Sequence, residues 1–175
     1  NIKTKYHENF LNLYVWRKMF GLGLAIAEGI KNCSYELIAR MDSDDISIPN
    51  RCELQLREFA QDPLLDVLGY IKEFCDSKEG VVSIRKVPLV DSEIKEYQKR
   101  RDAVNHVTVM FKKSKVWRLG IINMPCLWKI VYYGQYDITW VQRLKILLII
   151  LVYVRTGADM FKRRGGLSIL KNIKW

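Results

Sequence analysis

The sequence predicts an α/β domain in which helices flank a mixed, mostly parallel β-sheet. Three observations predict this class. Segments with strand and helix spacing alternate along the chain, apolar residues make up 49% of the 175 positions, and an acidic cluster directly follows a short apolar strand. A chain of this length and apolar content can bury one core, which excludes a disordered protein.

The first elements follow from local spacing. The segment "GLGLAIAEGIK", 21–31, has apolar residues at helical intervals and small residues that permit close packing on a sheet. A short buried strand follows over Tyr35–Met41. Ser47 then predicts a helix cap, with Pro49 in the first turn of a helix that continues to about Ala60.

The second half of the alternation is less regular. A strand is predicted over Leu64–Phe74, with a glycine bend inside it. The charged segment "DSEIKEYQKRR", 91–101, indicates an exposed helix that starts at an aspartate or serine cap. The alternation in "NHVTVMFKK" then predicts a strand with His106, Thr108 and Met110 on one face.

The longest apolar run, Ile146–Val154, spans nine residues. Because a helix needs about 20 residues to cross a bilayer, this run predicts a buried strand or core helix. From Lys112 onward, 13 Lys and Arg stand against two acids, a charge of +11, whereas residues 1–111 carry 16 against 17, a charge of −1. The basic third is either a solvated face or attracted to anionic lipid headgroups. Nucleic acid is disfavoured because no reader motif is present.

Cysteine spacing and the N-terminal sequence indicate the cellular compartment of the protein. The four cysteines form no CxxC pair and no metal-finger spacing, which favours free thiols in a reducing, cytoplasmic compartment. The N-terminal "NIKTKYHENFLNLYVWRK" has neither a signal-peptide core nor an initiator methionine. We therefore expect the chain to be a fragment of a longer cytoplasmic protein.

Three aspartates, Asp42, Asp44 and Asp45, crowd the end of the first predicted strand in "ARMDSDDISIPNR". Ligands of such sheets gather at the carboxyl ends of strands. In an extended segment, residues two apart project from the same side, so that Asp42 and Asp44 would converge on one point. Mg²⁺ or Mn²⁺ suits such a carboxylate pair, because hard cations prefer oxygen ligands. An acidic turn with a capping role is the alternative.

Several strings together resemble the family 2 glycosyltransferases that build bacterial surface polysaccharides. They are "GLGLAIAEGI", "YELIARMDSDDISIPNR" and "NHVTVMFKKSKV", within 21–116, and "LVYVRTGADMFKRRGGLS", 151–168. The resemblance implies a Rossmann-like (GT-A) fold that binds a nucleotide-diphospho-sugar. It also implies an inverting transfer to a glycan or lipid-linked acceptor, with Asp42 and Asp44 holding a Mg²⁺ or Mn²⁺ ion on the donor diphosphate.

Further residues take roles within this resemblance. Asp45 is expected to cap the following loop or to steady the metal ligands, and Arg51 to pair with Asp45 or with a donor phosphate. His106 is expected either to approach the metal and phosphates or to be an inert strand histidine. The basic residues near the C-terminus resemble the family's basic segment and either contact phosphate or acceptor, or face solvent: Arg155, Arg163 and Arg164.

Two departures from the family pattern bear on activity. The strands that form the family's nucleotide pocket are expected to precede Asn1, and Met19 stands where the family has an asparagine. Between Gly120 and about Leu148 the resemblance disappears, and there the family carries a Glu-Asp and Leu-Trp motif whose aspartate is the general base. Asp137 is the single acid in this segment and a weak substitute.

A shifted reading frame explains the second departure. Consider the codons of residues 127–134, "LWKIVYYG", with each triplet read from the last base of one codon into the first two bases of the next. This shifted frame can encode Met-Glu-Asp-Cys-Leu-Leu-Trp, which restores the missing motif. We therefore expect a catalytic-domain remnant over 1–120, an out-of-frame segment over 121–148, and a basic segment of the same domain over 149–175. Core roles for the apolar residues at 146–150 become suspect on this hypothesis.

The sequence thus predicts a glycosyltransferase that is impaired or inactive in this chain and works in the cytoplasm at the inner face of the bacterial membrane. The alternative is a non-enzymatic module that binds membrane surfaces or partners through its basic C-terminal third.

Overall fold

The computed structural model describes residues 22–76, 80–100, 103–117 and 143–156. Helices and strands alternate over these ranges, as predicted. The helices are α1 (Leu22–Asn32), α2 (Arg51–Gln61), α3 (Asp91–Gln98) and α4 (Lys113–Trp117). The strands are β1 (Leu37–Ala39), β2 (Ile46–Ser47), β3 (Val67–Asp76), β4 (Gly80–Arg85), β5 (Met110–Lys112) and β6 (Leu144–Thr156).

The strands form one mixed sheet in the order β1-β5-β3-β6-β2, with β4 also paired to β3. The mixed α/β class is confirmed, but its predicted parallel majority is wrong for the described strands: β3 and β6 pair in parallel, and the other four pairings are antiparallel. A parallel connection needs a crossover of a dozen or more residues. Only three residues separate β3 from β4, so these strands form an antiparallel pair.

Apolar side chains cover both faces of the sheet. On one face, Ile30 of α1 packs with Ile38 and Phe111, and Ile94 of α3 packs with Ile146. On the other face, Phe59 of α2 joins a cluster with Leu68 and Met110. Because neighbouring residues of β1 and β5 face opposite sides of the sheet, these short strands contribute to the clusters on both faces. The helices therefore flank the sheet on two sides, as an α/β layered domain requires.

The boundary of α2 differs from its prediction. The helix begins at Arg51 rather than near Ser47 and Pro49, and Asn50 is its N-cap residue without a side-chain capping bond. Ser47 instead lies in β2 opposite Val152 of β6. Pairing across the sheet satisfies the backbone of this segment, so it does not enter the helix.

The predicted strand over "NHVTVMFKK" is correct only in its second half. His106–Thr108 forms a 3₁₀ turn, and the Asn105 side chain accepts a hydrogen bond from the Val107 N–H at 3.5 Å. The alternating strand geometry predicted for His106, Thr108 and Met110 is therefore wrong over His106–Thr108. Asparagine offers the backbone a local partner that competes with strand pairing, which explains the difference.

The apolar run near the C-terminus forms strand β6, one of its two predicted forms. Ile146, whose core role was suspect on the frameshift hypothesis, does lie in the core: it is 3% exposed in the cluster with Ile94. The pairing of β6 with β3 shifts register between Tyr70 and Ile71, and this shift leaves Leu148 and Ile149 exposed. None of the helices in the described ranges has the length and apolar character needed to cross a membrane.

Candidate functional site

The acidic cluster forms a tight turn after β1. The backbone N–H of Asp45 donates to the carbonyl of Asp42 at 3.3 Å, and Ser43 and Asp44 occupy the turn between them. The prediction that Asp42 and Asp44 project from one side of an extended segment is therefore wrong in its geometry. The two carboxylates instead stand at the first and third positions of a β-turn, with Ser43 between them.

Exposure differs among the three aspartates of this turn. Asp44 is exposed, and the Asp42 side chain retains 36% of its accessible surface. Asp45 is buried, at 9% exposure. A ligand can thus reach Asp42 and Asp44, whereas Asp45 faces the protein.

The donor set suits a hard divalent cation that is shared with a phosphate ligand. In the part of the chain that the structure describes, no group of three or more His, Cys, Asp or Glu side chains is arranged to hold a metal. Mg²⁺ commonly takes only one or two protein carboxylates and completes its coordination with water and phosphate oxygens. Two accessible carboxylates fit that chemistry, and a closed protein cage is not required.

Arg40 adds a cation to this turn, and sequence reasoning missed it. Its Nη2 donates to Oδ1 of Asp42 at 2.5 Å, and the Arg40 side chain is only 11% exposed. The signal in the sequence was a cationic residue at the end of a buried strand, where burial of its charge requires a partner. The nearest acid along the chain, two residues later, supplies it.

Arg51 fixes the backbone that leads into the turn. Its Nη2 donates to the carbonyl of Arg40 at 2.7 Å and to that of Val109 at 3.4 Å, and the residue is 3% exposed. The Arg40 N–H also donates to the Val109 carbonyl, at 3.0 Å. This guanidinium, predicted to meet Asp45 or a phosphate, therefore joins the first turn of α2 to the ends of β1 and the 3₁₀ turn.

The surroundings of Arg51 are largely buried. Its guanidinium carbon lies 5.2 Å from the centre of the Tyr70 ring, and its Nε donates to Oε1 of Gln55 at 3.2 Å. Burial lowers the pKa of Arg51, while Tyr70, Cys52 and the charge of Asp45 act in the opposite direction. Burial also raises the pKa of the Tyr70 hydroxyl, which has no hydrogen-bond partner among the described residues.

The remaining predicted site residues are only partly described. The backbone of His106 lies in the 3₁₀ turn that precedes β5. Arg155 lies in β6, two residues beyond Tyr153, which pairs with Ile46 of β2. Because β2 runs antiparallel to β6, the backbone at Arg155 lies toward the acidic turn. Asp137, Arg163 and Arg164 fall outside the described residues, as does Met19.

Sequence comparisons place this site in a known family. The model of the family described as glycosyl transferase family 2 matches residues 4–118. That range includes the acidic turn, Arg40, Arg51 and the 3₁₀ turn. The chain therefore belongs to glycosyl transferase family 2.

Three curated relatives are similar over most of the chain. An uncharacterized glycosyltransferase of Haemophilus influenzae is 36% identical over 86% of this chain. The amylovoran biosynthesis glycosyltransferase AmsE of Erwinia amylovora is 29% identical over 89%. The UDP-Gal:alpha-D-GlcNAc-diphosphoundecaprenol beta-1,3-galactosyltransferase of Escherichia coli is 32% identical over 91%. The chain spans only 56%, 58% and 58% of these relatives' own lengths, respectively.

Proposed function

We propose that this chain carries the part of an inverting family 2 glycosyltransferase of surface polysaccharide biosynthesis that binds the diphosphate of the donor. Its donor is a nucleotide-diphospho-sugar, and its acceptor is a glycan or lipid-linked sugar. The names of two relatives support these classes of donor and acceptor. One is named for amylovoran biosynthesis, and the other name specifies a UDP-Gal donor and a diphosphoundecaprenol-linked acceptor. A lipid-linked acceptor favours sugar transfer at the cytoplasmic face of the membrane.

The observation that carries the proposal is the accessible Asp42 and Asp44 pair in a turn whose backbone is fixed by Arg51. We assign these two carboxylates to a Mg²⁺ or Mn²⁺ ion on the donor diphosphate. When bound, such an ion supplies Lewis-acid stabilisation of the charge that develops on the departing phosphate. Asp45 supports the turn from the buried side, and His106 and Arg155 belong to elements that approach it.

We further propose that transfer by this chain is impaired, because the general base of the acceptor side is missing. The out-of-frame segment over 121–148 accounts for its loss. The bulge in β6 at Leu148 and Ile149, one of two register shifts between β6 and β3, lies where the frame is expected to be restored. The gene sequence tests this proposal: codons that do not permit the shifted product would overturn it.

Calorimetric titration of the chain with Mn²⁺ and UDP tests the metal and donor assignment. Asp42→Ala and Asp44→Ala should each weaken Mn²⁺-dependent UDP uptake by tenfold or more, because one of two charged ligands is removed. Glu53→Ala is a matched control, since Glu53 is an exposed carboxylate on α2 whose partner is Arg57. Uptake that is equal in all four proteins would overturn the assignment.

Donor hydrolysis separates an impaired from an active enzyme. We expect no Mn²⁺-dependent release of UDP from UDP-galactose by the chain. Turnover that requires Mn²⁺ and is lost in Asp44→Ala would contradict the impaired state. It would make Asp137 the candidate for the general base. No observation on the described residues favours the alternative of a membrane-surface module.

A further inference from the structure

The Arg40 guanidinium depends on Asp42 for its pairing. Nη2 of Arg40 donates to Oδ1 of Asp42, and Nη1 is buried without a hydrogen-bond partner in the described part of the chain. Asp42 is also the acidic partner of Arg40 among the described salt bridges. If Asp42 turned away, a buried cation would be left unpaired, which is strongly unfavourable.

The backbone prevents Arg40 from moving far from the turn. Its N–H is bound to the Val109 carbonyl at 3.0 Å and its carbonyl accepts from Arg51 at 2.7 Å. The side chain, at 11% exposure, is enclosed as well. These contacts hold the positive charge beside Asp42.

This fixed charge opposes a second cation at the same carboxylates. A divalent ion that coordinates Asp42 meets the repulsion of Arg40 and competes for its hydrogen bond. A diphosphate reverses both effects, because its oxygens neutralise the excess positive charge and offer the guanidinium a new acceptor. Guanidinium groups suit phosphate oxygens in this way.

We propose that Arg40 is a positioning residue that makes divalent-cation binding conditional on the diphosphate of the donor. Without the diphosphate, Arg40 holds Asp42 and keeps the ion's affinity low. With it, Arg40 favours the ion and the diphosphate together. This proposal rests on the proposed function, since it assigns Asp42 to the same metal and donor site.

Substitution of Arg40 should change two affinities in opposite directions. In Arg40→Gln, Mn²⁺ alone should bind about tenfold tighter than in the unchanged chain, within the usual range of coupling between sites. With saturating Mn²⁺, UDP should bind about tenfold more weakly. Electron paramagnetic resonance of free Mn²⁺ measures the first affinity, and calorimetry measures the second.

A residue with only a structural role gives a different result. Loss of order in the turn would weaken Mn²⁺ and UDP binding together, and that outcome, or an unchanged Mn²⁺ affinity, would overturn the proposal. Arg57→Gln is the control, because Arg57 forms an exposed pair with Glu53 on α2. If Arg40→Gln does not fold, Arg40→Met serves instead, since an apolar chain of similar length fills the buried space.

The same titrations separate this proposal from the assignment on which it rests. Mn²⁺-dependent UDP uptake by the unchanged chain, with its loss in Asp44→Ala, supports the donor site independently of Arg40. If that uptake is present and Arg40→Gln binds Mn²⁺ alone no more tightly, only the role of Arg40 fails. If uptake is absent from the unchanged chain, the donor site itself fails.

Discussion

The acidic turn and strand β6 are stabilised in different ways. The turn rests on contacts close in sequence, such as Arg40 with Asp42 and Arg51 with the Arg40 carbonyl. The start of β6 is fixed by partners far along the chain: Arg143, just before the strand, binds Asp62 at 2.8 Å, and the Leu144 N–H donates to Asp91 at 2.9 Å. A local motif places the charged side chains of the first region, although its backbone also depends on the Val109 carbonyl, whereas only the assembled sheet specifies the second.

The two segments of β6 should differ most in their contribution to stability. Leu151 is fully buried in a cluster with Tyr70 and Val152, whereas Leu148 is 67% exposed at the register shift. Leu151→Ala should lower the free energy of unfolding by about 3 kcal/mol, through lost burial and a cavity. Leu148→Ala, the matched control, should change it by less than about 0.5 kcal/mol.

Urea denaturation monitored by circular dichroism measures both variants. Equal losses would mean that Leu148 packs in the core and that β6 has no bulge at Leu148 and Ile149. That result would remove the structural support for a frame boundary between residues 148 and 149.

The turn should respond next most strongly, through Arg51. Its guanidinium satisfies the buried carbonyls of Arg40 and Val109. Arg51→Gln should lower the free energy of unfolding by about 2 kcal/mol, because at least one carbonyl loses its donor. Arg51→Lys should be destabilised as well, since an ammonium group lacks the planar arrangement of N–H donors that a guanidinium presents.

Arg57→Gln is the exposed counterpart on the same helix and should change stability little, as surface ion pairs contribute about 0 to 1 kcal/mol. Thermal and urea unfolding should agree on this order. If Arg51→Gln is as stable as Arg57→Gln, the turn does not depend on α2, and its order must come from the β1 and β5 pairing alone.

The same contrast explains what the sequence could and could not predict. The alternation of elements and the position of the aspartates after β1 were predicted, because apolar spacing and charge are local properties. The tight turn at Asp42 and the carbonyl groups that accept from Arg51 were not, and the local pair of Arg40 with Asp42 was overlooked. Each depends on backbone geometry or on residues such as Val109, which lies 58 positions from Arg51.

Sheet pairing was the other limit. The alternation of strands and helices predicted parallel neighbours, but β5 lies between β1 and β3 and pairs antiparallel with both. Three-residue strands carry too little pattern to reveal direction, and the 3₁₀ turn before β5 shortened it further. The core position of Ile146 likewise follows from the parallel pairing of β6 with β3.

The smallest expected effect concerns the ion pair that anchors the start of β6. The hydrogen bond from Arg143 lowers the pKa of Asp62 below its usual value of 3.8. Since the folded pKa lies below the unfolded one, the pair stabilises the protein above about pH 4. This contribution is lost as the pH falls through the folded pKa.

Arg143→Gln isolates that contribution, because it leaves the hydrogen bond between Asp62 and the Leu64 N–H at 3.1 Å in place. We expect a small loss of melting temperature at pH 7 that shrinks toward zero as the pH falls below 4, and that is also reduced by salt. Differential scanning calorimetry at several pH values measures it. A loss that stays constant with pH would show that Arg143 acts through packing, and that the start of β6 is held by its strand pairing rather than by charge.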